Sequence, residues 1–204
     1  MGMTCTLHRV TPSEIDQLVK DPAKVSEILF ADDENWTVTK PGGLVGFLLR
    51  FTPMSIETAT PREPLNEEDL DKLRERECDL EGTWHGLHFL FTGTAWEGAE
   101  PACYLVRGGE AVGGDEFDDP PRLLRPDLVR GFRRFLDGLS EDELRGRFDR
   151  RRMSELSIDP ARLWLRRATP ADEALALLLR AFNELRTFTE RAATAGDGVI
   201  VHLA

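Results

Sequence analysis

The sequence predicts a compact layered α/β domain, a three-layer αβα arrangement with a strand at each terminus and a long C-terminal helix. Three observations carry this. Residues Gly2 to Val10 alternate at the two-residue period of a sheet, with Met3, Cys5 and Leu7 on one face. Val199-Ile200-Val201 supplies a second, β-branched strand near the other end. Between them, apolar residues recur mainly at helical spacing. No linker, internal repeat or low-complexity block divides the chain, so residues 1–204 read as a single domain. A chain of this length removes roughly 70% of its unfolded surface from water without help from disulfides or a structural metal.

The elements follow in order. Thr11-Pro12-Ser13-Glu14 combines an N-cap, a proline at the first helical position and an acid three residues after the cap, which opens a helix directly after the first strand. Asp21-Pro22 repeats the signal ahead of Val25, Ile28 and Leu29. Leu44 to Phe51 fits either a buried strand or a helical turn, and Thr52 to Pro64 has no clear period. Acids crowd a helix start at Asn66 or Glu67, where they favour the dipole of a helix running towards Glu77. Leu80 to Phe91 reads as a helix with Leu80, Trp84, Leu87, His88 and Phe91 on one face and Gly93 as its left-handed stop.

Ala102 to Arg107 is strand-like, and a glycine- and proline-rich loop reaches Pro121. Arg125-Pro126 then starts a helix with Leu128, Phe132, Phe135 and Leu139 inward, and Ser140-Glu141-Asp142-Glu143 is a capping box for the next. Thr169-Pro170 caps the longest helix, whose Leu175, Leu178, Leu179, Phe182, Leu185 and Phe188 form one apolar stripe ending before Gly196.

Charge narrows the function classes. The net charge is −11, which repels nucleic acid and anionic membrane surfaces and favours a basic protein partner. The distribution is uneven: Arg122 to Arg167 holds 13 arginines against 8 acids, leaving +5 there and −16 elsewhere. The ordinary account of such a segment is solvated helix faces on which arginines and acids interleave; the functional alternative is a site for an anion. No apolar run approaches the ~20 residues a membrane span requires, and the N-terminus lacks a signal-peptide pattern. Three widely spaced cysteines, Cys5, Cys78 and Cys103, form neither a disulfide framework nor a zinc ribbon, so a reducing cytoplasm is expected.

The stretch richest in chemistry is Trp84-His85-Gly86-Leu87-His88, which carries two of the four histidines. A three-residue spacing puts His85 and His88 on neighbouring lines of one helix, but zinc needs further ligands and only Asp79 and Glu81 stand nearby. No metal and no cofactor is therefore expected. The structural account has Trp84 and His88 packing inward with their ring N–H groups on backbone carbonyls. The alternative makes Trp84, His85 and His88, with Arg122 as an anion contact, a small-ligand or acid–base site. There is no Gly-x-Ser-x-Gly elbow and no Gly-x-x-x-x-Gly-Lys phosphate loop.

The run Trp84-His85-Gly86-Leu87-His88-Phe89-Leu90-Phe91-Thr92-Gly93 resembles the hallmark of the YfbM-like family of bacterial proteins, domain of unknown function 1877. Met1-Gly2-Met3, Gly108-Gly109-Glu110, the Arg122-Leu123-Leu124 to Pro126 helix entry, the Ser140-Glu141 to Phe148-Asp149 helix and the final helix into Val199-Ile200-Val201 follow the same order of parts. The resemblance spans nearly the whole chain and implies a three-layer α/β fold, but it brings no activity and no catalytic residues. The chain departs from the family at Gly113 to Pro121, where acids and prolines replace a small aromatic element. Taken together, these readings lead to a cytoplasmic protein that binds, in the manner of an inhibitor or immunity protein, rather than an enzyme. A small-ligand binder or enzyme using the Trp84 to His88 helix is the alternative.

Overall fold

A computed structural model describes residues 3–30, 75–114, 117, 119–164 and 170–204. Among these, five strands form one antiparallel sheet in the order β2-β1-β5-β4-β3: β1 (Cys5–Val10), β2 (Glu77–Asp79), β3 (Glu110–Ala111), β4 (Arg122–Leu124) and β5 (Gly198–Leu203). The terminal strands lie side by side at its centre, with Cys5 opposite Leu203 and Val10 opposite Gly198.

Alternation along the strands sends side chains into two cores. Cys5 and Leu7 of β1, Leu124 of β4, and Val199 and Val201 of β5 join the larger one. It is closed by α3 (Trp84–Thr92), α4 (Pro126–Asp137), α5 (Glu141–Arg147), α6 (Arg150–Glu155), α7 (Ala161–Trp164) and the 25-residue α8 (Ala171–Ala195). Val10, Leu123 and Ile200 face the other way, onto Ile15 and Leu18 of α1 (Pro12–Lys20) and Val25 and Leu29 of α2 (Lys24–Leu29). Helices thus cover both faces of the sheet, as the two strands and the helical run between them predict.

Caps explain where several helices begin or end. Thr11 accepts from the Glu14 backbone while the Glu14 carboxylate accepts from Thr11, and Ser140 and Glu143 repeat that reciprocal box at α5. Gly93 and Gly196 take φ of 74° and 75° after α3 and α8, the left-handed stop that lets the chain turn back. Directly after Gly196, Asp197 accepts from Arg9 Nε and Nη2 at 3.1 and 2.7 Å. This largely buried ion pair fastens the end of α8 to β1.

Several expectations need correction. Residues 102–107 are turns rather than a strand: Cys103, Tyr104, Leu105 and Val106 are all buried, without alternation, and Val106 and Arg107 donate back to the carbonyl of Cys103. The helix starts at Pro126 with Arg125 as its N-cap, as expected, and the Arg122–Leu124 segment leading into it is a strand, with Leu123 and Leu124 filling opposite cores. Asp21 ends α1 instead of opening α2, which begins at Lys24. Glu75 is helical and Arg76 turns the chain into β2 at Glu77, so the helix expected to run towards Glu77 stops two residues before it. In α4 the buried side chains are Val129, Phe132 and Leu136, with Leu128 and Phe135 only half-buried. Leu44 to Phe51, the Asn66–Glu67 helix start and the Thr169 cap lie outside the described residues.

Candidate functional site

The Trp84 helix is more deeply enclosed than its sequence spacing implies. Glu81–Thr83 forms a 3-10 turn, with the Glu81 N–H on the Asp79 carboxylate and the Thr83 hydroxyl on the Leu80 carbonyl, and α3 starts only at Trp84. Every residue from Trp84 to Phe91 is buried, so α3 has no solvent face over these turns. A helix apolar all round belongs in the centre of a core. Gly86 permits this, since a Cβ there would lie 2.7 Å from Leu178 Cδ2 on α8 and 3.0 Å from Trp164 Cη2.

The predicted site residues separate into distinct roles. Trp84, fully buried, donates its indole N–H to the Met3 carbonyl at 3.0 Å. His85 stacks on Trp84 with centroids 4.7 Å apart and planes at 8°, and Trp96 lies 4.6 Å from its ring. The Asp159 backbone N–H donates to His85 Nδ1 at 2.9 Å, and His85 Nε2 donates to the Ala95 carbonyl at 2.8 Å. Those two partners fix the neutral Nε2–H tautomer. Burial lowers its pKa, against the pull of the Ala95 carbonyl and the Asp159 charge.

His88 reverses the expectation that its ring would be satisfied by backbone. It is fully buried and neither ring nitrogen meets hydrogen-bonding geometry with any described group. Burial pushes its pKa down to about 4, helped by His85 and Arg107; the nearby Glu97 backbone favours the charged ring, but not at hydrogen-bonding geometry. The backbone-satisfied histidine is His85, not His88. Arg122 sits on β4, half-buried, 3.7 Å from Asp119, and no described hydrogen bond, ion pair or ring contact joins it to either histidine.

Among the described residues, cavities lie elsewhere, and two of them are lined by neither His85 nor His88. One of about 530 Å³ is formed by Met3, Thr4, Glu81, Gly82, Asp159, Pro160 and Ala161. The larger, about 720 Å³, runs between β2 and α8 and is lined by Glu75, Glu77, Cys78, Asp79, Arg180, Asn183, Glu184, Thr187, Phe188 and Arg191. Its four acids outnumber its two arginines, and Arg180 is itself held by Glu184 at 2.9 Å. Sequence reasoning missed this groove because its acids come from segments more than a hundred residues apart. It also missed Trp96, 43% exposed on a Gly- and Thr-rich loop, and His202, packed edge-on against Phe30 and Phe117. An isolated tryptophan among small loop residues was the one available signal.

Other chemistries find little support. Burial raises the pKa of all three thiols, Cys78 to about 12 and Cys5 beyond the usual range, which works against thiolate nucleophiles. Among the described residues, no three His, Cys, Asp or Glu side chains are placed to hold a metal ion. Several arginines of the rich segment are paired with acids: Arg125 with Glu110, Arg133 with Asp137 and Glu190, Arg145 with Glu141, and Arg151 and Arg152 with Glu155. Arg147 and Arg150 donate to the carbonyls of Leu90 and Trp164.

Fold and core together define a three-layer α/β domain whose conspicuous histidines serve a buried helix. The chain belongs to the family described as domain of unknown function (DUF1877), whose model matches residues 1–202. The crystal structure of YfbM from Escherichia coli, described as a protein of unknown function, is similar in fold: TM-score 0.60, 16% identity, covering 98% of this chain and 99% of that one. A search of the curated proteins found no match. No described helix is long and apolar enough to cross a membrane.

Proposed function

We propose that this protein works by binding a basic protein partner, as an inhibitor or immunity protein does, and that the groove between β2 and α8 is where the partner docks. The observation that carries this is the groove's acidic lining of Glu75, Glu77, Asp79 and Glu184, on a chain whose net charge is −11. Acidic concavities focus their field and speed encounter with cationic surfaces. On α4 to α6, Arg133, Arg145, Arg151 and Arg152 pair with acids and Arg147 and Arg150 donate to backbone carbonyls, which together with the acidic net charge weighs against nucleic acid and anionic membranes. Three buried reduced thiols fit a cytoplasmic setting.

The second reading, a small-ligand binder or enzyme using α3, has one observation in its favour, the two ring nitrogens of His88 without partners. Native mass spectrometry of protein purified from its own host at low salt distinguishes the two. A co-purifying basic protein, displaced by salt, is expected. A retained metabolite or metal, lost on His88→Leu, would favour the second reading instead.

A further inference from the structure

Three candidates stand outside the binding reading: the 530 Å³ cavity, the Phe30–His202–Phe117 cluster and the bridge made by His85. The cavity offers two acids, Glu81 and Asp159, and no group aimed at a ligand. The His202 cluster is a ring packing with Asp119 as its nearby charge. The His85 bridge carries more, because it joins segments far apart in sequence through one donated and one accepted hydrogen bond.

On one side of the imidazole is the loop 93–101, held by the Ala95 carbonyl and by Trp96 against the ring. Within the loop Thr94 bonds Glu97, while Thr92 at the end of α3 bonds Thr94 and Arg107 pairs with Glu97 at 3.2 Å, so the loop is anchored at its two ends and the His85 bridge holds its middle. On the other side is the turn before α7, where the Asp159 N–H points at Nδ1. Only the neutral ring fits both partners. A second proton on Nδ1 would set N–H against N–H at a distance of 2.9 Å, and that contact must break.

We propose that His85 is an acid-sensitive clasp: neutral, it locks the Trp96 loop to the Asp159 turn, and on protonation it lets that loop swing away as a local opening while the rest of the domain stays folded. The charged groups bearing on the pair are known. The Asp159 carboxylate attracts a proton to His85. His85 and Arg107 act against a charge on His88, three residues along, and the Glu97 backbone acts for it. Because burial lowers the affinity of both rings for a proton, the closed clasp is fully favoured above the ordinary histidine range and weakens as pH falls below it. The opening exposes Trp84, His85 and His88 together, a face hidden at neutral pH.

The test follows the His85 ring nitrogens and the Trp96 indole by heteronuclear NMR on the full chain between pH 7.5 and 4.5, with far-UV circular dichroism alongside. The expected result is a single shared midpoint for His85 protonation and Trp96 release, with the far-UV signal unchanged. His85→Gln, whose amide offers both a donor and an acceptor but does not titrate, should abolish the transition; His88→Leu should leave it in place. Trp96 release at a pH where His85 remains neutral, or only together with loss of far-UV signal, would overturn the clasp.

Discussion

Trp84 and Met3 are joined by a hydrogen bond from the indole Nε1 to the Met3 carbonyl at 3.0 Å, across 81 positions of sequence. It secures the entry to β1 against α3, and it makes Trp84 both a core side chain and a tether. Trp84→Ala should lose about 3–5 kcal/mol of stability as a large core deletion. Trp84→Phe keeps most of the packing and should lose less. Denaturant midpoints for the two variants check the ordering, and an unchanged midpoint in Trp84→Ala would remove Trp84 from the core.

Gly86→Ala sets helix propensity against packing. Alanine is the better helix former by about 1 kcal/mol. Its methyl, however, meets Leu178 Cδ2 at 2.7 Å and Trp164 Cη2 at 3.0 Å, and both those side chains are buried. Overpacking of this kind costs about 1–3 kcal/mol, so the expected result is net destabilisation. A thermal midpoint raised in Gly86→Ala would show that α3 and α8 have room to separate.

His88 gives a prediction with a definite sign. Its pKa is near 4 when folded, against ~6.5 for an unperturbed histidine, so the unfolded chain takes up the proton first. The neutral ring's contribution is therefore complete above pH ~6.5 and is lost as pH falls towards about 4, on the order of 3 kcal/mol in all. His88→Leu should flatten that part of the stability–pH curve. It should also stabilise the protein at pH 7.5 by about 1–3 kcal/mol, by removing a buried polar group without partners. Urea unfolding at intervals from pH 7.5 to 4.5 reads both effects.

The Arg9–Asp197 pair is the most enclosed ion pair described, with side chains 19% and 10% exposed. Removing one member leaves the other poorly solvated, which costs about 3–5 kcal/mol at fully buried sites and less here. Asp197→Ala should thus destabilise more than Glu155→Ala, whose partners Arg151 and Arg152 are well exposed. Equal losses in the two variants would contradict the anchoring of α8 to β1.

Local signals proved the most legible part of the sequence. The Thr11 and Ser140 capping boxes, the left-handed stops at Gly93 and Gly196 and the terminal strands depend on side chains and turns a few residues apart. The features missed depend on distant partners. That Leu123 and Leu124, just ahead of the helix start at Arg125-Pro126, form a strand depends on β5 pairing beside them, and residues 103–106 look like a strand until four consecutive burials make alternation irrelevant. At the site, spacing put His85 and His88 on the same helix but could not tell which had partners. That was decided by Ala95 and by Asp159, 74 residues away.

The central claim is that an acidic groove between β2 and α8 receives a basic partner, and association kinetics test it most directly. The rate constant for a basic partner captured from the host is measured between low and physiological salt, for the native chain and for Glu75→Gln/Asp79→Asn/Glu184→Gln. The account predicts an on-rate that falls with salt, a slower on-rate in the triple variant, and a smaller change in the off-rate. A partner whose on-rate is unaffected by these three substitutions, or one that is anionic and lost on neutralising Arg130 and Arg134, would contradict it.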